Sequence, residues 1–401
     1  MVTITTETGQ LDVPALRTAT QEIITRAVAK RWPEKETVLG PQSPSVTSYV
    51  CRVMVDGEVL IAKYSWLGMS LVSILRGAAG PWENVLEAQR AYVTSADLLT
   101  AREAQHLRLL RRLGRPRVCK TAGLCDGVLL TRVAPGATLA DELSARPWDT
   151  AALLDQVLVE LRGLHGPAGA EVLRDAASII ERSVAGVFRR KFGGPAGADY
   201  LRSLGADSGL QEFEREQINA LLQSAVWRLL KMADGLSARR DTAVFGDLKP
   251  EHTFTDGSRL RFIDPAVQWA AGPEPDVAKL LGRSILLALD HPNPAAGRQI
   301  VQGVASTLDH YVATQLEREQ PRRLREVLVL WLMDTVSILS TCLSAPPGLP
   351  LTRQQQFLVT QAPIVAGLVE RVSALLVGSL SGARLLDRVL STIDAAAGSA
   401  R

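Results

Sequence analysis

The sequence predicts an α+β chain of two lobes, a small antiparallel β-sheet followed by a large, mostly helical body. Three observations lead there. Short β-prone runs crowd between residues 36 and 134, and apolar residues recur at three- and four-residue intervals over most of the chain beyond Gly136. One stretch, VFGDLKPEHTFTDGSRLRFIDPAVQ (244–268), then interrupts those helices with strand-like segments. At 401 residues the chain is long enough for one large or two medium cores. The expected divisions are a helical extension over 1–35, the sheet lobe over 36–134, and the helical lobe over 135–401, with a linker near 134–140.

Residues 14–31 read as an amphipathic helix. After Pro33 come the runs ETVLG, SYVCRVMV and EVLIAKYS, the last two joined by Asp56-Gly57, a strong hairpin signal. Helical texture returns from Pro81 to Leu113 in two pieces, PWENVLEAQRAYV and TAREAQHLRLLRRL. Two further strands, RVCKTAGL and GVLLTRVA, precede Pro135-Gly136 and complete a five-stranded lobe. Beyond it, TAALLDQVLVELRGLH and QEFEREQINALLQSAVWRLLKMA have helical spacing, while GGPAGADY and APPGLPL read as loops.

Composition excludes several classes. A formal net charge of +3, with basic residues scattered, argues against nucleic acid as the main partner. Cys51, Cys119, Cys125 and Cys342 form no CxxC pair, which fits reduced thiols. The first residues, MVTITTETGQLDV, have no basic or apolar region of an export signal. The apolar tracts Val327–Leu343 and Phe357–Val377 are broken by charges, so no membrane span is expected. A cytoplasmic location follows as the expectation.

Chemistry concentrates in 244–268. The pattern predicts a strand over Ala243–Phe245, a polar loop, a turn at Asp256-Gly257 and a second strand over Leu260–Ile263. Such a hairpin brings Asp247 and Asp264 together at the two strand ends. Paired carboxylates of this kind hold a divalent cation, or divide into a base and a metal ligand.

GDLKPEH resembles the catalytic loop of aminoglycoside phosphotransferases, usually H-G-D-x-x-x-x-N, with the same spacing of five from Asp247 to His252. FIDP resembles the metal-binding segment that follows it, and GPEPDVAKLL the Asp-bearing start of the next helix. Over roughly residues 36–290 the chain therefore resembles the protein-kinase-like superfamily, closest to its aminoglycoside phosphotransferase branch. The resemblance implies the bilobal protein-kinase-like fold and an ATP-dependent kinase using Mg²⁺, with Mn²⁺ as an alternative. Asp247 would orient the acceptor hydroxyl and take its proton late, Lys249 would reach the γ-phosphate, and Asp264 would hold the cation. His252 stands where the family has Asn, either as an altered metal ligand or as a group that hydrogen-bonds the loop. Phe245 replaces a His and packs the loop.

The resemblance also implies that Lys63 meets the nucleotide phosphates. A lysine on a central apolar strand needs a partner. Glu103 is the expected carboxylate and Glu87 the competitor, although Thr100–Glu103 also reads as a capping box. No GxGxxG loop exists; Ser43, Ser45, Thr47 and Ser48 occupy that slot, where they would cover the phosphates. Thr131 to Val133 would be the adenine hinge. Asp276 would brace the catalytic loop, or simply cap its helix after Pro275.

The acceptor is less defined. The apolar insertion SWLGMSLVSILRG (65–77) reads as core or as a docking surface for a peptide or partner protein. Charges after Asp290 are nearly balanced, which argues against a polycationic aminoglycoside. Ser or Thr of a biosynthetic precursor peptide, as in lanthionine-forming (lanthipeptide) pathways, or a hydroxylated natural product, is the expected acceptor. An antibiotic-resistance phosphotransferase is the alternative, and an inactive pseudokinase scaffold is the alternative of another class.

Overall fold

The structure is a computed structural model that describes residues 11–257 and 259–399. It has the bilobal α+β fold that the sequence predicts, a small antiparallel sheet lobe and a large helical lobe. The first helix, α1 (Val13–Arg31), begins with the Asp12 carboxylate accepting from the Ala15 amide at 2.7 Å. Strands β1 (Thr37–Gln42), β2 (Tyr49–Val55) and β3 (Glu58–Tyr64) follow. After them come α2 (Leu71–Leu75), α3 (Trp82–Val93) and α4 (Leu99–Leu113), then β4 (Thr121–Cys125) and β5 (Val128–Arg132). The sheet order is β1-β2-β3-β5-β4, all antiparallel. Both two-residue turns are Asp-Gly, at 56–57 and 126–127. All four residues have positive φ (47° and 80°, 48° and 79°), as the right-handed twist of a hairpin demands.

Alternation fixes which face of the sheet is dry. Tyr49, Cys51, Val53 and Val55 on β2 point inward with Leu60, Ala62 and Tyr64 on β3. Against this face lie α1, through Leu16, Ile24, Ala27 and Val28, and the 65–77 insertion, through Trp66, Leu71, Val72, Ile74 and Leu75. The Trp66 indole donates to Thr20 at 3.0 Å, tying the insertion to α1. Residues 11–35 are thus part of the sheet lobe's core. The insertion's large side chains are consumed there, which is the core alternative for 65–77 and leaves them unavailable as an apolar docking surface.

The helical lobe opens with β6 (Ala137–Thr138) and α5 (Leu139–Ala145), where Thr138 and Asp141 form a capping box. The expected linker is therefore structured, because β6 pairs with a strand of the 244–268 segment. Helices α6 (Thr150–Leu161), α7 (Pro167–Arg174), α8 (Val184–Phe192), α9 (Gly194–Arg202) and α10 (Glu212–Ala233) come next. The GGPAGADY segment, expected as a loop, forms most of α9. Pro195 sits in its first turn, where no amide is needed, and Gly197 lets it press on the Phe192 backbone.

Four short strands follow: β7 (Thr242–Val244), β8 (Thr253–Thr255), β9 (Leu260–Phe262) and β10 (Gln268–Ala270). Here the expected hairpin is corrected. β7 pairs with β10, and the Asp256-Gly257 turn joins β8 to β9 instead. Phe245 and Phe262, both buried with ring centroids 5.7 Å apart, hold the two small sheets on one core. The chain ends with α11 (Glu274–Leu289), α12 (Pro294–Ala313), α13 (Gln320–Leu343), α14 (Arg353–Thr360), α15 (Ala362–Val377) and α16 (Gly382–Ser399). By length and composition α13 is apolar enough to cross a membrane, but most of it is buried as the central helix of this lobe. APPGLPL remains a loop and inserts Leu349 into the sheet lobe's core.

Candidate active site

Lys63 lies on β3 between Val50 of β2 and Leu129 of β5, in the middle of the sheet. Its ammonium is 2.8 Å from Glu103 Oε2 on α4 and 3.0 Å from Asp264 Oδ2 beyond β9. The side chains of Lys63 and Glu103 are only 13% and 6% exposed, so this ion triad joining the two lobes is dry at the Lys63–Glu103 pair and open to solvent at Asp264. Burial disfavours the ammonium, but Asp264 and Glu103 outweigh it and hold Lys63 above its ordinary range. Burial likewise disfavours the Asp264 carboxylate, and the Lys63 ammonium overrides it, pulling the group down to about 2. Glu87 is exposed on α3. The capping box does not form: Leu98 is the N-cap, Thr100 donates to the Gly127 carbonyl at 2.8 Å, and Glu103 is free for Lys63.

Asp247 sits three residues beyond β7, on a loop fixed from below. The Asp276 carboxylate accepts from the Phe245 amide at 2.6 Å and the Gly246 amide at 2.8 Å, and lies 2.9 Å from His165 Nε2. Asp276 is completely buried and lies within α11, so its side chain serves the loop and not the helix start. Gly246 has φ +85°, and a Cβ there would sit 2.2 Å from the Ala266 carbonyl oxygen, so the turn into Asp247 requires glycine. Asp264 itself adopts φ +56°, an uncommon conformation for a residue with a side chain.

Three cationic or imidazole groups surround Asp247. Lys249 Nζ is 3.4 Å from Oδ2, His252 Nδ1 is 3.4 Å from Oδ2, and Lys279 Nζ is 2.6 Å from Oδ1. Burial alone would raise the Asp247 carboxyl, but Lys249 and then Lys279 hold it well below the ordinary carboxylate range. His252 is pushed down to about 4, first by burial and then by Lys249, so its ring is neutral at pH 7. Its Nδ1 lies 3.2 Å from the Asp247 carbonyl oxygen, which can only accept; the proton therefore belongs on Nδ1. That leaves the Nε2 lone pair facing Asp264 Oδ2 at 3.8 Å. Among the described residues no group of three or more His, Cys, Asp or Glu side chains is placed to hold a metal.

The remaining expected residues are less concentrated. Ser43 starts the β1–β2 loop, its amide bonding the Val50 carbonyl at 2.8 Å. Ser45 Oγ accepts from the Thr47 and Ser48 amides at 3.4 and 3.3 Å, folding the loop on itself. Ser48 is 1% exposed and cannot meet a nucleotide, so its expected place over the phosphates is corrected to the lobe interior. Thr131 pairs with Ile61 and Thr121 at the end of β5, and Val133 is exposed where the chain passes between lobes.

Sequence reading missed Lys279, Arg283, Asp334, His165 and His106. Lys279 contacts Asp247 and lies 3.6 Å from Asp334 on α13, whose other oxygen takes Arg283 at 2.7 Å. The signal was present: Asp276, Lys279 and Arg283 are spaced i, i+3 and i+7 on an otherwise apolar helix, one charged stripe on a buried face. His106, one turn after Glu103 on α4, accepts from the Val267 amide through Nδ1 at 3.1 Å. Its Nε2 is 3.0 Å from the Ala177 carbonyl. One helix thus holds both the partner of Lys63 and the segment that follows Asp264.

A cavity of about 510 Å³ is lined by Asp290, His291, Gln356 and Phe357. It lies fourteen residues along α11 from Asp276, roughly 20 Å at the helical rise, and is separate from this cluster.

No protein-family model and no curated protein matches the sequence. Solved structures do resemble it. An aminoglycoside phosphotransferase is similar at 10% identity and a TM-score of 0.45, covering 88% of this chain and 98% of that one. Plasmodium vivax ethanolamine kinase is similar at 11% identity and a TM-score of 0.42, over 91% of this chain and 90% of that one. Choline kinase from Cryptosporidium parvum is similar at 12% identity and a TM-score of 0.43, over 94% and 99%.

Proposed function

We propose that this chain is an ATP-dependent phosphotransferase that moves the γ-phosphate to an alcohol hydroxyl. The observation that supports this most is the Lys63–Glu103–Asp264 triad, which places a β-sheet lysine and a helical-lobe carboxylate at one point between the lobes. Lys63, held protonated and aimed by Glu103, would bind phosphate oxygens once Asp264 turns to its cation. Asp247, ionised at neutral pH, would accept a hydrogen bond from the acceptor hydroxyl and hold it in line. Its basicity is low, which suits a loose transition state in which the proton leaves late. Lys249, beside Asp247, would compensate charge on the transferred group. Thr131 to Val133 would meet adenine through the backbone, and Ser43 and Ser45 would flank the phosphates.

Two protein donors, short of a full set, would share a divalent cation with the nucleotide's phosphates. Asp264 is ionised, and the His252 lone pair converges on the same space. Bound there with the nucleotide, Mg²⁺ or Mn²⁺ would neutralise developing phosphate charge. A nitrogen ligand suits Mn²⁺ better than an all-oxygen site does. For the acceptor, Ser or Thr of a precursor peptide or a hydroxylated natural product remains our reading. Lys249 and Lys279 beside the base make an aminoglycoside polycation a poor neighbour.

Asp247→Asn is the direct test. It should lower transfer by about 10³-fold or more while leaving the thermal shift by Mg-ATP nearly intact. Turnover comparable with the wild type at saturating substrate would remove Asp247 from the mechanism. If Mg-ATP produced no thermal shift in the wild type, the scaffold reading would replace this one; the occupation of both Asp247 oxygens by lysines is the feature that favours it.

A further inference from the structure

Away from the Asp247 cluster, two basic side chains pack on one tyrosine ring with no carboxylate beside them. Lys191, at the end of α8, sends its ammonium to the Ser337 carbonyl at 2.8 Å and to Thr341 Oγ1 at 2.6 Å, both on α13. The same ammonium lies 5.1 Å from the centre of the Tyr200 ring. Arg76, exposed at the end of the 65–77 insertion, stacks over that ring at 4.7 Å and donates to Ser203 at 3.2 Å. Among the described residues neither cation has an ion-pair partner, and all their partners are neutral. Burial pushes the Lys191 ammonium down to about 7, with Arg76 adding to the effect. Beside them the buried Ser337 hydroxyl has no hydrogen-bond partner. An unpaired guanidinium, a buried amine that an anion would hold protonated, and an orphaned hydroxyl leave donors here with no anion to receive them.

Its position gives it a meaning. Asp334, Ser337 and Thr341 are spaced i, i+3 and i+7, so they share one face of α13. One end of that face reaches Asp247 through Lys279, and the other holds Lys191, roughly 10 Å further along the axis. Arg76 comes from the sheet lobe and Lys191 and Tyr200 from the helical lobe, so the pair sits where the lobes meet. We infer that Lys191 and Arg76 form an anion-binding subsite for a carboxylate or phosphate group carried by the acceptor, one arm's length from the hydroxyl that Asp247 orients. The acceptor half of this statement rests on the phosphotransferase reading above; the anion site does not.

Inorganic phosphate is the first probe, titrated at constant ionic strength into the full chain with and without saturating AMP-PNP. Saturable binding is expected in both states. It should weaken at least tenfold in Lys191→Met and in Arg76→Gln, and persist in Lys191→Arg. The exposed Arg76 variant keeps the test valid should the buried Lys191 variant fold poorly. Binding that AMP-PNP abolishes, that is absent, or that is unchanged in both variants overturns the site. The second probe is a pair of serine peptides of equal length, one with aspartates flanking the serine and one with alanines. The acidic peptide should be favoured at least tenfold in kcat/KM by the wild type, and the preference should vanish in Arg76→Gln. Equal use of the two overturns the assignment to the acceptor. Phosphate binding without transfer to either peptide would instead count against peptide phosphotransfer and leave the anion site standing.

Discussion

Lys63 is a residue whose partner sequence logic narrows but does not settle by itself. Both Glu87 and Glu103 lie on helices after β3, and only the fold shows that α4 turns its Glu103 face to the strand while Glu87 points to solvent. The choice had a physical basis, since α4 leads directly into β4. Lys63→Ala and Glu103→Gln should each weaken nucleotide binding, with a coupling energy of about 1–3 kcal/mol in a double-mutant cycle. The same cycle with Glu87→Gln should give no coupling; a coupled Glu87 would put the wrong helix beside the strand. His252 raises a different issue. Its Nδ1 proton goes to the loop carbonyl and its Nε2 faces Asp264, so the proposed ligand role would fall to a different nitrogen from the loop bond and need not displace it. Replacing it by Asn returns an oxygen donor to that place. His252→Asn should remain active and lower the ratio of Mn²⁺- to Mg²⁺-supported initial rates; an unchanged ratio would confine His252 to the loop.

At the scale of elements, the sheet lobe was legible because every strand there carries a local signal, alternation plus a tight turn. The 244–268 segment was legible in residue types but not in pairing. Its strands are three residues long, too short for alternation to set register, and β7 finds its partner 24 residues on, beyond the Asp256-Gly257 turn. GGPAGADY was misread because glycine and proline usually punctuate, yet here proline opens the helix and glycine allows close packing. Lys279 was passed over since a lysine on a helix is ordinarily solvated. Loop and helix are joined by Asp276, whose carboxylate takes two backbone amides that no strand satisfies. Asp276→Ala should strand both amides in a dry site and cost about 3 kcal/mol or more in urea unfolding. Activity should fall further than stability explains, because Asp247 loses its fixed base. A loss under 1 kcal/mol would mean that water reaches these amides.

Across the whole molecule, buried ionisable groups pull stability in opposite directions with pH, and the sign differs for each. Asp264 and Asp247 are depressed in the fold, so their contribution is present above the unfolded carboxyl range and is lost as pH falls through their folded values, about 2 for Asp264. Burial raises the Glu103 carboxyl while the Lys63 ammonium pulls it back, so Glu103 opposes folding above the unfolded carboxyl range. His106 is depressed to about 4 by burial, and its geometry demands a neutral ring, since Nδ1 accepts from the Val267 amide. Between pH 6.5 and 4 the unfolded chain therefore holds a proton on this residue that the folded chain does not, and stability falls with pH across that window. A shift of that size corresponds to about 3 kcal/mol. Because Glu103 acts in the opposite sense, a difference profile isolates the His106 effect from the raw one. Gln at position 106 keeps one acceptor and one donor but has no proton to gain. His106→Gln should cost about 1 kcal/mol at pH 7, from imperfect placement of those two bonds. By pH 4.5 the deficit should disappear or reverse, as wild-type unfolding becomes driven by imidazole protonation. Urea denaturation of both proteins at pH 7, 5.5 and 4.5 measures it; a deficit constant across the three would mean that the His106 ring takes up its proton as readily in the fold as in the unfolded chain, and that Val267 does not donate to it.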